Sequence, residues 1–350
     1  MRPPLTRPTF CLQHIVQHRN SLQHQRGLTL VELMVASAIS ILIALAAVAA
    51  LIVTRQGFRT VDAASQLRDN GRFASLMIQR LAVQTAFNDV DFSTRATPPP
   101  NTFGLASTAP PNVYGFNNAK RGSNSDAWDT ASASGVINSS DLLVLRFQPA
   151  AIFSGSRVSD RAVIDCSGFS PTSVSEDQTD RMISFLYVGQ SSDGEPALMC
   201  ARSNNSQPPY TPQPLVKGVE VFQVLYGTTG VTPNTASVAI KQGESTSPDR
   251  YLRADQLFVS GDQVGTYNNW RRVRSLRIGL VLRGPINSAQ EQSSQTQYPF
   301  GVAPDSSTGS TGSALADTTN DPGTVFAPPN DGRLRQSITF TVNLRNDQGM

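Results

Sequence analysis

The hydrophobic pattern changes its period along the chain. From Leu28 to Val53 the sequence LTLVELMVASAISILIALAAVAALIV holds 26 residues with one charge, Glu32, and the 21 residues from Leu33 onward hold none. At about 1.5 Å of rise per residue, a helix of that length spans the roughly 30 Å hydrocarbon core of a bilayer. It exceeds the roughly 7–15 apolar residues of an ordinary secretory signal. Beyond Val53, Phe58, Val61, Phe73, Leu76, Met77, Leu81, Val83 and Phe87 recur at helical spacing. Arg55, Arg59, Asp62, Arg68, Asp69, Arg72 and Arg80 lie between them. No proline occurs between Pro8 and Pro98. The spacing predicts one helix over about 28–92. Its first part, 28–53, belongs in an apolar medium, and its second part turns its apolar stripe toward a folded domain. Gly57 and Gly71 weaken it by about 1 kcal/mol each relative to Ala, and Pro98-Pro99-Pro100 marks its stop.

Residues 93–141 are rich in Pro, Asn, Ser, Thr and Gly and read as a long irregular connection. Short apolar runs bounded by turn residues follow at Leu142–Phe147, Met182–Val188, Ala197–Ala201 and Val219–Tyr226. Leu276, Ile278, Leu280 and Leu282 alternate with Ser275, Arg277, Gly279 and Val281. Ile338, Phe340, Val342 and Leu344 alternate with Thr339, Thr341 and Asn343. A period of two predicts an antiparallel sheet with one face on a core. Residues 287–329 are low in complexity and read as a solvated surface insertion. The fold class expected is α+β: a long N-terminal helix on an antiparallel β-rich domain, 93–350, with flexible insertions near 93–141 and 287–329.

Composition changes the picture by position. The chain has 350 residues and a formal net charge of +3, yet Arg2, Arg7, Arg19, Arg26 and all three histidines lie within the first 27. Without those residues Lys+Arg falls from 29 to 25 against 26 Asp+Glu, and the net charge becomes −1. The sequence pI of 8.9 therefore gives no argument for a nucleic-acid partner. Histidine-based triads and His-ligated metal sites are excluded from the remainder. There is no phosphate loop, no Cys-x-x-Cys and no Ser-x-x-Lys. Asp126/Asp129 and Glu176/Asp177/Asp180 are the densest carboxylate groups, in polar, turn-rich surroundings that favour a solvated surface over an acid pair or a Ca²⁺ loop. Trp270 reads as a buried anchor, while Trp128 is left open. No catalytic residue, metal or cofactor is expected.

Glu32 is the informative residue. A carboxylate four residues into an apolar span costs several kcal/mol and is rare without a partner. Two readings of the segment leave it without one: a plain signal anchor, and a signal cleaved after Ala47-Val48-Ala49. An amino group on Leu28 would supply a partner, because residue 28 stands at i to the carboxylate's i+4. Arg19 and Arg26 before the span against Arg55 and Arg59 after it give only a weak orientation bias. Ala36, Ser40 and Ala44, at i, i+4 and i+8, form a small-residue stripe suited to close helix approach.

Gln25-Arg26-Gly27 followed by Leu28-Thr29-Leu30-Val31-Glu32 resembles the type IV prepilin signal, with Leu28 where the family usually has Phe. Farther on, Asp165-Cys166-Ser167-Gly168, Ile183-Ser184-Phe185-Leu186-Tyr187-Val188, Gly194-Glu195-Pro196-Ala197-Leu198-Met199-Cys200 and Gly218–Gly227 appear in an order that resembles the PilW-type minor pilins. Trp270–Ile278 and a closing Val342-Asn343-Leu344-Arg345-Asn346 continue that order. The resemblance implies a prepilin leader over 1–27, cleavage after Gly27 and N-methylation of Leu28 by a prepilin peptidase/methyltransferase. It also implies pairing of Glu32 with an N-terminal amine on the same or a neighbouring subunit. It places the chain in the inner membrane as a single span with a periplasmic C-terminal domain, and later in a pilus. The implied partners are other minor pilins, the major pilin and the inner-membrane assembly machinery, with a role in priming assembly and a position at the pilus tip. The J-type minor pseudopilins of type II secretion share much of this plan. A membrane-tethered enzyme or ligand-binding domain is the alternative of another class. With Cys11 in the leader, Cys166 and Cys200 remain as an even pair. In an exported domain they are expected as a disulfide, with reduced core thiols as the alternative.

Overall fold

A computed structural model describes residues 27–87, 109–174, 181–203, 208–238, 247–289, 295–304, 311–313 and 321–346. The chain divides into two compact units, Met1–Thr54 and Arg55–Met350. Helix α1, Leu30–Gln84, runs through 55 residues. Its residues up to Thr54 are all exposed.

Within the second unit, α1 meets the core by a different face from the one the large apolar residues predict. Phe58 and Val61 are 71% and 70% exposed, and Phe73, Leu76 and Val83 also stand toward solvent. The buried face is Ala63, Leu67, Gly71, Ala74, Ile78, Leu81 and Ala82, which recur at steps of three and four. Small residues prevail there because the helix approaches the sheet closely: a methyl at Gly71 would collide with the Ile338 side chain. Gly71, a weak point by helix propensity, is thus a point of close contact. Met77 and Phe87 do pack on the core, half-buried. The helix also ends earlier than expected. Ala86 turns into the left-handed region at φ 64°, and its N–H donates to the Arg146 carbonyl at 3.0 Å. Asn346 then donates its side-chain amide to the carbonyls of Val83 (3.2 Å) and Thr85 (3.0 Å), capping the helix from the far end of the chain.

Among the described residues, a five-stranded and a four-stranded antiparallel sheet form most of the domain. The first joins β1 (Val113–Phe116), β2 (Leu142–Phe147), β3 (Met182–Gln190), β4 (Pro196–Ser203) and β5 (Thr211–Lys217) in sequence order. The second has the order β11-β8-β6-β7, from β6 (Val219–Thr228), β7 (Arg250–Leu252), β8 (Val273–Arg283) and β11 (Arg335–Asn343). Between β7 and β8 lie a helical turn, α2 (Ala254–Leu257), and helix α3 (Gln263–Arg271). Strands β2, β3, β4, β6, β8 and β11 fall where the apolar runs predict them. Strands β1 and β5 do not, and β1 lies inside the expected 93–141 connection. Strand β5 carries Pro212 and Pro214, which an edge position tolerates. Gly218, at φ 85°, turns β5 into β6, with its backbone packed against the Arg283 carbonyl.

Register sets the β8–β11 pair so that Leu276, Ile278 and Leu280 face Val342, Phe340 and Ile338. Strand β6 is buried along its whole length, which an open sheet face would not allow. Part of the segment expected as solvated surface covers it. Phe326 packs on Val221 and Val281, Phe300 is buried, and Ser337 donates to Gln297 at 2.8 Å. Strands β9 (Val302–Pro304) and β10 (Thr311–Ser313) pair within the same segment. Residues 290–294, 305–310 and 314–320 of that segment, 93–108 of the earlier one, and 88–92 at the end of the expected helix lie outside the described residues.

Two polar devices tie the layers together. The Cys166–Cys200 disulfide joins the loop before β3 to β4, with Cα atoms 5.7 Å apart. An ion network joins strand ends. Arg283 pairs with Glu195 (2.6 Å) and Glu220 (3.0 Å), Arg335 with Glu220 (2.6 Å) and Asp331 (2.7 Å), and Arg333 with Glu195 (3.0 Å). The hydrogen bond from Arg283 holds Glu195 below the usual carboxylate range, and that from Arg335 does the same for Asp331. A buried pair of acids behaves oppositely. Asp141 accepts the backbone N–H groups of Asn118 (3.0 Å) and Val224 (2.9 Å), yet burial and the neighbouring Asp321 raise it well above its ordinary value. Burial pushes Asp321 up to about 7, with Asp255 adding to the rise and Arg253 and Asn117 opposing it.

Replacing both cysteines by serine should lower stability by about 3–4 kcal/mol, the chain-entropy cost of opening a loop of this size. Thermal unfolding with and without reductant checks it, since the reductant should affect only the parent. The pH dependence has two signs. Glu195 and Asp331 supply stability above the ordinary carboxylate range that is lost as pH falls through their depressed values. Asp321, raised in the folded state, makes stability fall as pH climbs from about 4 to about 7. Asp321→Asn should therefore raise the melting temperature more at pH 8 than at pH 5, and a parallel shift at both would contradict it.

Candidate functional site

The sequence directs attention to the start of α1. Gly27 and Leu28 precede the helix in exposed chain without regular structure, Leu28 being 75% exposed. Thr29 caps the helix. Its N–H and hydroxyl both donate to Glu32 Oε2, at 3.0 and 3.1 Å, while the Glu32 N–H donates to Thr29 Oγ1 at 3.3 Å. This reciprocal arrangement is a capping box, and it satisfies backbone donors that the first helical turn leaves open. Its signature, Thr-x-x-Glu, is legible in the sequence but is not the partner that reasoning from charge supplies for Glu32. With Gly27 attached, Leu28 offers a peptide nitrogen rather than an amine, and Thr29 takes the carboxylate instead. A pairing with Leu28 would require a cleaved chain.

Ala36, Ser40 and Ala44 are exposed along the same stretch of helix. The Ser40 hydroxyl donates to the Ala36 carbonyl at 2.7 Å, so the stripe presents small groups without an open hydroxyl donor. The helix is long and apolar enough to cross a membrane, with a mean hydropathy of 2.7 in its most apolar window. Exposed Ile, Leu and Val side chains over 30–53 are what hydrocarbon solvates well and water does not.

Little in the described domain resembles a reaction centre. Asp126 accepts the Ser123 N–H at 2.7 Å inside a loop held by Arg121. The Arg121 guanidinium, packed over the Phe185 and Tyr210 rings at 4.5 and 4.9 Å, donates to the carbonyls of Ser123, Asp126, Ala127 and Thr130. Asp129 is exposed on the same loop, beside a cavity. Glu176, Asp177 and Asp180 lie outside the described residues. Among the described residues no group of three or more His, Cys, Asp or Glu is placed to hold a metal. Trp270 is a buried anchor, on α3 beside β8, with Tyr114 tilted against it and Tyr226 edge-on, at 4.7 Å each. Trp128 lies edge-on to Tyr114 at 5.4 Å, under the Arg146 guanidinium.

Comparison with known proteins follows the same division of the chain. The family model of the prokaryotic N-terminal methylation motif matches residues 22–48, around the cap of α1. The model of type IV pilus-assembly protein W, PilW, matches residues 185–346, from within β3 to the end of the described chain. Among solved structures, a type IV-like pilin from Thermus thermophilus is 14% identical, with 81% of this chain and 98% of that chain covered at a TM-score of 0.36. No match is found among curated proteins. With a methylation motif on the capped apolar helix and the PilW pattern over most of the β-domain, in that order on one chain, the protein is similar to the PilW type of type IV pilin-like proteins.

Proposed function

We propose that the chain is a minor pilin, a structural subunit without enzymatic activity that helps prime type IV pilus assembly and sits at or near the pilus tip. The observation that carries this reading is the position of Glu32. It is the single charge in the 26-residue segment from Leu28 to Val53, and among the described residues of the uncleaved chain Thr29 holds its carboxylate. A prepilin peptidase/methyltransferase cuts between Gly27 and Leu28 and methylates Leu28, and the new amine, on this or a neighbouring subunit, becomes the counter-charge. The protein begins as a single span of the inner membrane with its domain in the periplasm. Assembly then moves the helix from lipid into a bundle of helices, where Ala36, Ser40 and Ala44 permit close approach. Phe58, Val61, Phe73 and Leu76, exposed on the subunit, supply apolar contact to the major pilin, other minor pilins and the inner-membrane assembly machinery.

N-terminal sequencing and intact mass of the membrane protein test this directly. The chain should begin at methylated Leu28 only in cells that have the prepilin peptidase. A chain beginning at Ala50, or one keeping its leader in both backgrounds, would remove the filament reading. Glu32→Ala should still be cleaved yet lose surface piliation. Piliation at the parent level would point to a membrane-tethered domain that never polymerises. Loss of secretion rather than twitching on deletion would move the subunit to a type II secretion pseudopilus.

A further inference from the structure

A cavity of about 740 Å³ opens between β1, α2 and α3. Tyr114, Tyr267 and Trp270 form its buried aromatic side, and Phe116 and Phe258 give it an apolar wall nearer solvent. Asp129, Asp255 and Asp262 also line it, and no Lys, Arg or His does. The three carboxylates are not equivalent. Asp262 caps α3, accepting the Gly265 N–H at 2.8 Å, and Asp255 is bound through both oxygens by Arg253 at 3.0 and 3.1 Å. Asp129 has neither a hydrogen bond nor an ion pair among the described residues. Tyr114 is 92% buried by its 8% exposure, and its hydroxyl likewise has no hydrogen-bond partner among the described residues. Burial, with Tyr267 and Asp129 nearby, pushes the Tyr114 phenol up to about 12, so the hydroxyl keeps its proton at neutral pH.

These features select a ligand class. A cavity walled by aromatic rings and carboxylates, without a basic group, favours a cation, which gains from both the ring quadrupoles and the charge. The volume suits an extended side chain rather than a bare ion, and the carboxylates do not converge as metal ligands do. A planar guanidinium on a methylene stem fits the combination of rings, stem wall and acceptors better than a compact, strongly hydrated ammonium. We infer that this cavity is a docking site for an arginine side chain of a partner protein, its charge directed to Asp129 and its stem to Phe116 and Phe258. The inference does not rest on the pilus reading, because every residue it uses belongs to the unit Arg55–Met350.

The two tryptophans of the chain provide the readout, Trp270 lining the cavity and Trp128 touching Tyr114. Full-length protein in detergent is titrated with N-acetyl-arginine methylamide, and separately with its neutral citrulline counterpart, while tryptophan fluorescence is followed. The arginine probe should give a saturable change that weakens with added salt, and the citrulline probe none. Asp129→Asn should weaken binding about two- to fivefold, the factor expected of a solvent-facing charge pair. Asp129 is exposed, so its variant separates lost binding from lost folding. Equal response to both probes, no saturable response to arginine, or an Asp129→Asn titration identical to the parent's would each overturn the proposal.

Discussion

Close approach of α1 to the β-domain governs how the rest of the second unit is arranged. A helix that packs through Ala63, Gly71, Ala74 and Ala82 brings its backbone near the sheet, and Leu67, Ile78 and Leu81 then reach the core between these small positions. Each of those larger side chains contributes about 1.5–3 kcal/mol on full burial. The same choice leaves Phe58, Val61, Phe73 and Leu76 outside. A soluble monomer seldom keeps so many large apolar residues along one exposed helix face, whereas a subunit destined for a helical assembly has a use for them. The internal packing and the external surface of α1 are therefore two results of a single distribution of side-chain size.

That distribution also explains where the sequence was legible. Strong periods with large residues were readable: the apolar run from Leu28 to Val53, the alternations in β8 and β11, and the apolar strands β2, β3, β4 and β6. The packing face of α1 was not, because a pattern of Ala and Gly carries little hydropathy even when it is the most buried face of the helix. Strand β5, with its two prolines, lacks the usual propensity signal, and β1, Val-Tyr-Gly-Phe, is too short to stand out from the connection around it; their neighbours hold both in place. The low-complexity stretch near the C-terminus read as surface, since its few anchors, Phe300 and Phe326, are isolated among Ser, Thr and Gln. At the N-terminus the charge argument correctly singled out Glu32. Thr29, its partner in the uncleaved chain, was visible as the first member of a Thr-x-x-Glu pair. The Tyr114–Asp129 cavity joins residues far apart in sequence, and no local pattern announces it.

Electrostatics in the domain follows a division of labour. The Arg283, Arg333 and Arg335 network satisfies its carboxylates fully and fixes the strand ends of both sheets. The Asp141 and Asp321 pair is instead placed where burial dominates, and part of its cost is offset by the backbone donors of Asn118 and Val224. Acids of the first kind specify how layers dock, whereas acids of the second kind make that docking sensitive to the medium.

The cap on α1 by Asn346 has a consequence for the order in which the protein is made. Ile338 on β11 meets Gly71, and Asn346 closes the last turn of the helix, so the surface that receives α1 is completed by residues far downstream of it, Asn346 being 263 positions after Val83. A nascent chain has α1 long before β11, and the part of α1 beyond Thr54 must wait undocked until β11 has been made. A chain truncated before β11 would thus forfeit the seat of its own first helix as well as a strand.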